Sequence, residues 1–145
     1  MRINRKLQYG LLFAVYLSRS GRSTIDIVSK NIDVPKAFLE QIARDMRVAG
    51  ILKSVRGPHG GYELLGEPTV RNIFEALGEL TLLSQQELSI YRRGELEHRA
   101  LASMVSDMSF SLHNIFKRSI KDVVRETVAA EKYLLSKAKE SMRPN

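Results

Sequence analysis

A chain of 145 residues with a formal net charge of +7 holds one ordinary core, or a small core with a helical arm, and excludes two full domains. It has no cysteine, which excludes disulfides and thiolate ligation of zinc or of an iron–sulfur cluster by these residues. Residues 1–66 carry 11 Lys and Arg against 5 Asp and Glu, whereas residues 67–145 carry 12 against 11. A basic excess in the first half favours a polyanionic partner, because Lys and Arg that neutralise phosphates release condensed counterions.

Asn4 is a suitable N-cap for a first helix, whose Leu7, Leu11, Ala14 and Val15 recur at helical spacing up to Ser18 before SRSGRS breaks the pattern. Arg2, Arg5 and Lys6 gather at its start, where cations oppose the helix dipole; a nearby phosphate or a frayed terminus explains them equally. The N-terminal MRINRK leads into this mixed helix with no small-residue cleavage site, and no apolar run reaches about 18 residues. A soluble, cytoplasmic chain without a membrane span is expected.

Thr24 caps a short helix over residues 25–31 with Ile27 and Val28 inward. The turn at 32–34 leads at once into a helix over residues 35–49, and two helices so joined form a helix-turn-helix. At about 100° per residue, Leu39, Ile42, Ala43 and Met46 share one arc, with Lys36, Ala37, Glu40, Gln41, Arg44 and Arg47 opposite. Gly50 stops this helix in a left-handed cap, and ILKSV and YELL then flank RGPHGG, whose Gly and Pro mark a hairpin turn. The layout is a recognition helix plus a wing.

Beyond Gly66, Glu67 and Pro68, Thr69 caps a helix with Val70, Ile73, Phe74 and Leu77 on one face, ended by Gly78. Residues 79–95 have mixed periodicity and receive no element. Residues 96–117 contain no Gly or Pro, and Leu101, Val105, Met108, Leu112 and Ile115 form a heptad-like seam. That stripe predicts a long helix meeting its copy in a homodimer; the alternative is a helix packed on its own winged domain. Ser119 with Asp122 has capping-box character and predicts a further helix presenting Val123, Val124, Val128, Leu134, Leu135 and Ala138, with the final SMRPN fraying. The expected fold is mainly α with a small β-hairpin. A winged helix-turn-helix occupies residues 1–78, a connection 79–95 and a helical dimerisation region 96–145.

The outward arc suits double-stranded DNA. Gln41 is a candidate for a bidentate contact to adenine, Arg44 to guanine, and Glu40 can accept from a cytosine amino group. A carboxylate facing DNA is costly unless paired, so Glu40 is either a specificity determinant or a partner of Lys36 or Arg44. In the wing, Arg56 is the prime candidate, because a narrow minor groove attracts an inserted arginine and Gly57, Gly60 and Gly61 allow close backbone approach. His59 at the tip is a phosphate or solvent contact, and Phe38, at the edge of the core arc, is counted with Lys6 and Lys36 among the candidate DNA-binding residues. No catalytic or metal site is expected. His59, His98 and His113 lack paired spacing, and no activated nucleophile or phosphate-cradling nucleotide loop occurs.

LEQ at 39–41, AGIL at 49–52 and SVRGPHGGYEL at 54–64 resemble the signature of the Rrf-two family of bacterial winged-helix transcription regulators. Its members include iron–sulfur-cluster assembly regulators, nitric-oxide-sensing repressors and cysteine-metabolism repressors. The resemblance reaches back to Lys6, Tyr9 and Gly10 and forward to about Gly78, roughly the first half of the chain. It implies that Glu40 and Gln41 take part in sequence discrimination and that Arg56 enters a groove. Together with the basic excess and the α-helical seam it leads to a regulator reading a pseudo-palindromic operator as a homodimer, a repressor if the bound dimer blocks polymerase, with activation equally open chemically. Four departures stand out. Asp33 replaces a common glycine, Pro35 a Ser or Thr cap, and Phe38 a Tyr whose hydroxyl is a possible phosphate contact. The three cysteines that many members carry after the wing are missing, so no iron–sulfur cofactor is expected and the effector is left unknown. The competing reading is a winged-helix protein-interaction module with no specific DNA site, against which the basic, non-aromatic outer arc argues.

Overall fold

A computed structural model describes residues 3–78 and 85–144 of the chain. Helix α1, Arg5–Ser20, begins where the Asn4 side chain accepts from the Leu7 N–H at 2.8 Å. It continues two residues past the expected end at Ser18 and is closed by Gly21 at φ 72°. Helix α2, Ile25–Ile32, is capped by Thr24. Ile27, expected to point inward, is 48% exposed, and Ile25 joins Val28 in the core instead. In a helix of two turns, shifting the apolar face by one or two residues leaves the pattern almost unchanged, and only the packing against α1 decides it.

The tight turn is made by Asp33 in the left-handed conformation, φ 54° and ψ 51°, which a short polar side chain tolerates. Ser29 Oγ donates to the Val34 carbonyl at 2.6 Å and braces it. Helix α3, Lys36–Val48, then starts from Pro35, which supplies no side-chain cap bond. Its C-terminus is a Schellman closure: Ile51 N–H donates to Met46 O at 2.9 Å and Gly50 N–H to Arg47 O at 3.0 Å, with Gly50 at φ 73°.

Strands β1, Leu52–Val55, and β2, Gly61–Leu64, pair antiparallel with Leu52 opposite Leu64 and Val55 opposite Gly61. The connection between α1 and α2 adds a rung, Ser23 and Tyr62 exchanging backbone bonds of 3.0 and 2.8 Å. Helix α4, Val70–Leu77, has a full capping box, with Asn72 answering Thr69.

The structure forms helix α5, Gln85–Arg92, within the stretch that received no element from sequence; residues 79–84 lie outside the described residues. Helices α6, Leu96–Phe116, and α7, Ile120–Ser141, follow, α7 starting where Ser119 Oγ accepts from the Asp122 N–H at 3.0 Å. The corner between them is stitched to the start of α4: Val70 N–H donates to Arg118 O at 3.0 Å and Ile120 N–H to Pro68 O at 2.9 Å. One core therefore gathers Leu7, Phe13, Val28, Leu39, Ile42, Met46, Leu52 and Ile73 together with Phe116 and Ile120, and the Phe74 and Phe116 rings meet at 4.9 Å. The protein is mainly α with a two-stranded wing, as its pattern predicts. No helix among the described residues is long and apolar enough to cross a membrane.

Candidate nucleic-acid interface

The burial of α3 follows its two arcs. Leu39, Ile42, Ala43 and Met46 are fully buried, and Lys36, Ala37, Glu40, Gln41, Arg44 and Arg47 are exposed. A 13-residue helix has enough turns for the period to define its face. Glu40 makes no ion pair with either suggested partner. Lys36 Nζ lies 2.9 Å from Asp26 Oδ1 of α2, and among the described residues Gln41 and Arg44 have no intramolecular hydrogen bond or ion pair. The Lys36 ammonium titrates above its usual value, chiefly through the Asp26 hydrogen bond and charge, with Glu40 adding least. Phe38 is half-buried, its ring edge-on to Tyr9 at 5.5 Å, so it lines the core's rim rather than the outward face.

Lys6 projects from the first turn of α1 and reaches Asp45 Oδ2 of α3 at 2.7 Å, a pairing across elements that offsets its position against the α1 dipole. In the wing, Arg56 and His59 are exposed. The tip closes through Gly60 N–H to Gly57 O at 2.9 Å. Two of its three glycines answer to the chain's own backbone. A Cβ on Gly60 would lie 2.3 Å from Val55 O, and Gly61, at φ 133°, would put one 2.5 Å from Ser23 O. Gly61 is thus what lets the wing seat against the α1–α2 connection.

Four groups that sequence reasoning left out frame this face: Arg22, Asp26, Asp45 and Lys53. Glu63 of β2 accepts from Arg22 Nε at 2.9 Å and lies 3.5 Å from Lys53 Nζ. The Arg22 hydrogen bond, followed by the charges of Arg22 and Lys53, holds its carboxyl below the usual value. Register carries the Lys53–Glu63 pair, since a loop over RGPHG centred on Pro58 sets 53 opposite 63. Arg22 arrives from 41 residues away in sequence, and nothing local announces it.

The apolar seam on α6 is divided. Met108 and Ile115 are 57% and 51% exposed and Leu101 is exposed too, whereas Val105 and Leu112 are half-buried, Leu112 against the protein's own core. Met104 and Phe110 add further exposed apolar surface to the same helix.

These elements, a two-helix turn with an outward polar helix and a glycine-tipped wing, match a known family. The family model Rrf2, an iron-dependent transcriptional regulator, covers residues 3–126. The chain belongs to the Rrf2 family. That match runs well beyond the first half of the chain, to which the sequence motifs alone extended, and takes in α5, α6 and the start of α7. The transcriptional regulator CymR of Bacillus subtilis is 34% identical over 71 residues, 47% of this chain and 51% of that protein. The chain spans about half the length of the curated relatives first matched. Structural likeness is longer. A Listeria innocua chain solved as a candidate transcriptional regulator superposes with a TM-score of 0.67 at 28% identity, covering 86% of this chain and 87% of its own. CymR, the global cysteine regulator of B. subtilis, gives 0.60 at 25%, covering 87% and 98%.

The iron in the family's description does not fit the residues of this Rrf2 chain. It has no cysteine, and among the described residues no three His, Asp or Glu side chains converge as a metal would need. At the corner between α5 and α6, His98 stacks on Tyr91 with ring centroids 5.7 Å apart.

Proposed function

We propose that this Rrf2 chain is a sequence-specific DNA-binding transcription regulator, of repressor type, that reads a pseudo-palindromic operator as a cytoplasmic homodimer without an iron–sulfur cluster. The observation that carries the reading is the outward face of α3. Among the described residues the exposed side chains of Glu40, Gln41 and Arg44 make no hydrogen bond or ion pair, and neither does Arg56 in the adjoining wing. A folded domain that leaves a glutamine and two arginines unpaired at the end of a rigid scaffold keeps their donors for something else, and base edges accept such donors in bidentate geometry. Lys6, Lys36 and His59 serve as phosphate contacts in this reading, fixing register without carrying sequence information, and Phe38 packs the base of the helix. Gly57, Gly60 and Gly61 shape the wing that presents Arg56.

Two copies joined through the exposed side of α6, with Leu101, Met108 and Ile115 at the contact and Val105 and Leu112 at its inner edge, place two recognition helices about one DNA turn or a multiple apart. In this division residues 1–78 read DNA, and the helices after residue 95 assemble the dimer. A gel shift of genomic fragments in excess competitor DNA tests the reading. A few retained fragments sharing an inverted repeat support it, and uniform retention, or none, overturns it.

A further inference from the structure

The cations of the reading face fall into two sets. Arg44 and Arg56, at the positions read as base and groove contacts, have no carboxylate partner among the described residues, and neither has Arg47 on the same outward arc. Lys6, Lys36, Arg22 and Lys53, around them, are each held by a carboxylate from another element: Asp45 at 2.7 Å, Asp26 at 2.9 Å, and Glu63 at 2.9 and 3.5 Å. Resting on the DNA-binding reading above, we propose that Asp26 and Asp45 are specificity-determining residues, which hold Lys36 and Lys6 away from phosphate and so weaken the attraction of the protein for arbitrary duplex.

Sequence-independent binding comes essentially from phosphates neutralised by Lys and Arg. A lysine already paired with a carboxylate contributes only if that pair opens, and an exposed pair resists opening by a factor of roughly two to five. Asp26 stands where the α2 dipole favours an acid and Asp45 offsets Lys6 at the start of α1, but at the surface each of these contributes little to stability. Asp26 is exposed and Asp45 half-buried, with side-chain exposures of 63% and 36%, so removing either leaves no fully buried charge behind. Asp26 occupies the first turn of α2, an end whose positive dipole would otherwise favour an anion such as phosphate. Asp45 lies on α3 itself, one residue beyond Arg44. Two acids on a surface that meets a polyanion work against affinity as such, and their gain is in discrimination. In a specific complex, base contacts fix the register and bring phosphates close enough to replace the carboxylates, whereas a loosely placed duplex does not.

The test measures Kd of the full chain for a selected operator and for an arbitrary duplex across a salt series, in wild type, Asp26→Asn, Asp45→Asn and the double variant. Each single change is expected to tighten binding to arbitrary duplex about two- to five-fold. The log–log salt slope should steepen by about 0.9 per freed lysine, with a smaller gain on the operator. Adding Lys36→Gln to Asp26→Asn should abolish that variant's gain. Because Asp26→Asn with Lys36→Gln carries the wild-type net charge, Asp26→Asn with Lys132→Gln on α7 is the charge-matched control and should keep the gain. Unchanged or weaker binding by the single variants overturns the proposal, as does a gain that survives Lys36→Gln, or one lost equally in both charge-matched pairs, which would reflect net charge alone. Asp26 and Lys36 are exposed and Asp45 half-buried, and matching melting curves exclude misfolding. A wild type that binds operator and arbitrary duplex alike contradicts the specific-reader function instead, and one that binds no duplex removes both.

Discussion

The first four helices with the wing, and the arm formed by α6 and α7, are incomplete in opposite ways. In the first region the core side chains Phe13, Leu39, Ile42, Met46 and Ile73 are almost completely sequestered, though Val48 is 82% exposed. What stays uncompensated on α3 and the wing is charge: Arg44, Arg47 and Arg56 have no carboxylate partner among the described residues. In the arm Lys137–Glu140 and Arg125–Asp122 close within α7, while Lys121 reaches Glu67 before α4, and what stays uncovered is largely apolar. Phe110 is 71% exposed, and Met104, Tyr133, Leu134 and Leu135 are exposed as well. Exposed large apolar side chains in such number are what an association site offers. One region lacks an anion and the other lacks a cover, which is the division expected of a regulator whose reading and assembly reside in different helices.

Truncating the same kind of side chain in each region sharpens the contrast most. Ile42→Ala should cost about 2–5 kcal/mol, because Ile42 is fully buried and leaves a cavity. Leu134→Ala, at an exposed position, should change stability by less than about 0.5 kcal/mol. Denaturant titration at one protein concentration checks both, and comparable losses would show that the arm is covered in solution. Next, Leu101→Glu with Met108→Glu should yield a folded monomer by sedimentation, since both residues are exposed in the single chain. An unchanged dimer moves the interface elsewhere. Leu112 is the wrong residue for this test, because it also packs against the protein's own core.

On the reading side, Arg56→Ala should weaken DNA binding by about ten- to a hundred-fold and flatten the salt slope by about one, whereas Gln41→Ala should alter base preference with little change of slope. Equal effects of both variants on every sequence would erase the division between groove insert and base reader. The smallest effect concerns the root of the wing. The Glu63 carboxyl, lowered first by its Arg22 hydrogen bond, has a folded value below the ordinary 4.5. Its contribution is therefore complete above the unfolded value and is lost as pH falls through the folded one. Wild type and Glu63→Gln should differ by a constant amount at neutral pH and converge in acid. A difference that persists at pH below the folded value would assign the effect to packing.

How much of this could be read from the residues depended on how local the cause was. The arcs of α3 were legible because 13 residues give the 3.6-residue period several repeats. The same period misplaced Ile27 in a two-turn helix. The cap residues Asn4, Thr24, Thr69 and Ser119 and the Gly50 closure act within a few residues of themselves and stood out in sequence. Helix α5 did not, because among its described side chains Leu88 is the buried one and a single anchor defines no period. Nor did the demands made across the fold: Gly61 against Ser23, Arg22 on Glu63, and residues 68–70 bridged to 118–120. For the candidate interface, the exposed readers followed from helix geometry. The acids that restrain Lys6 and Lys36 came into view only when α1, α2 and α3 were brought together.

The most direct measurement of the central claim is the ratio of Kd values for arbitrary duplex and for the tightest pseudo-palindrome selected from random DNA, at physiological salt. Specific reading by two recognition helices predicts a ratio of about a thousand or more, and a ratio near one would contradict it.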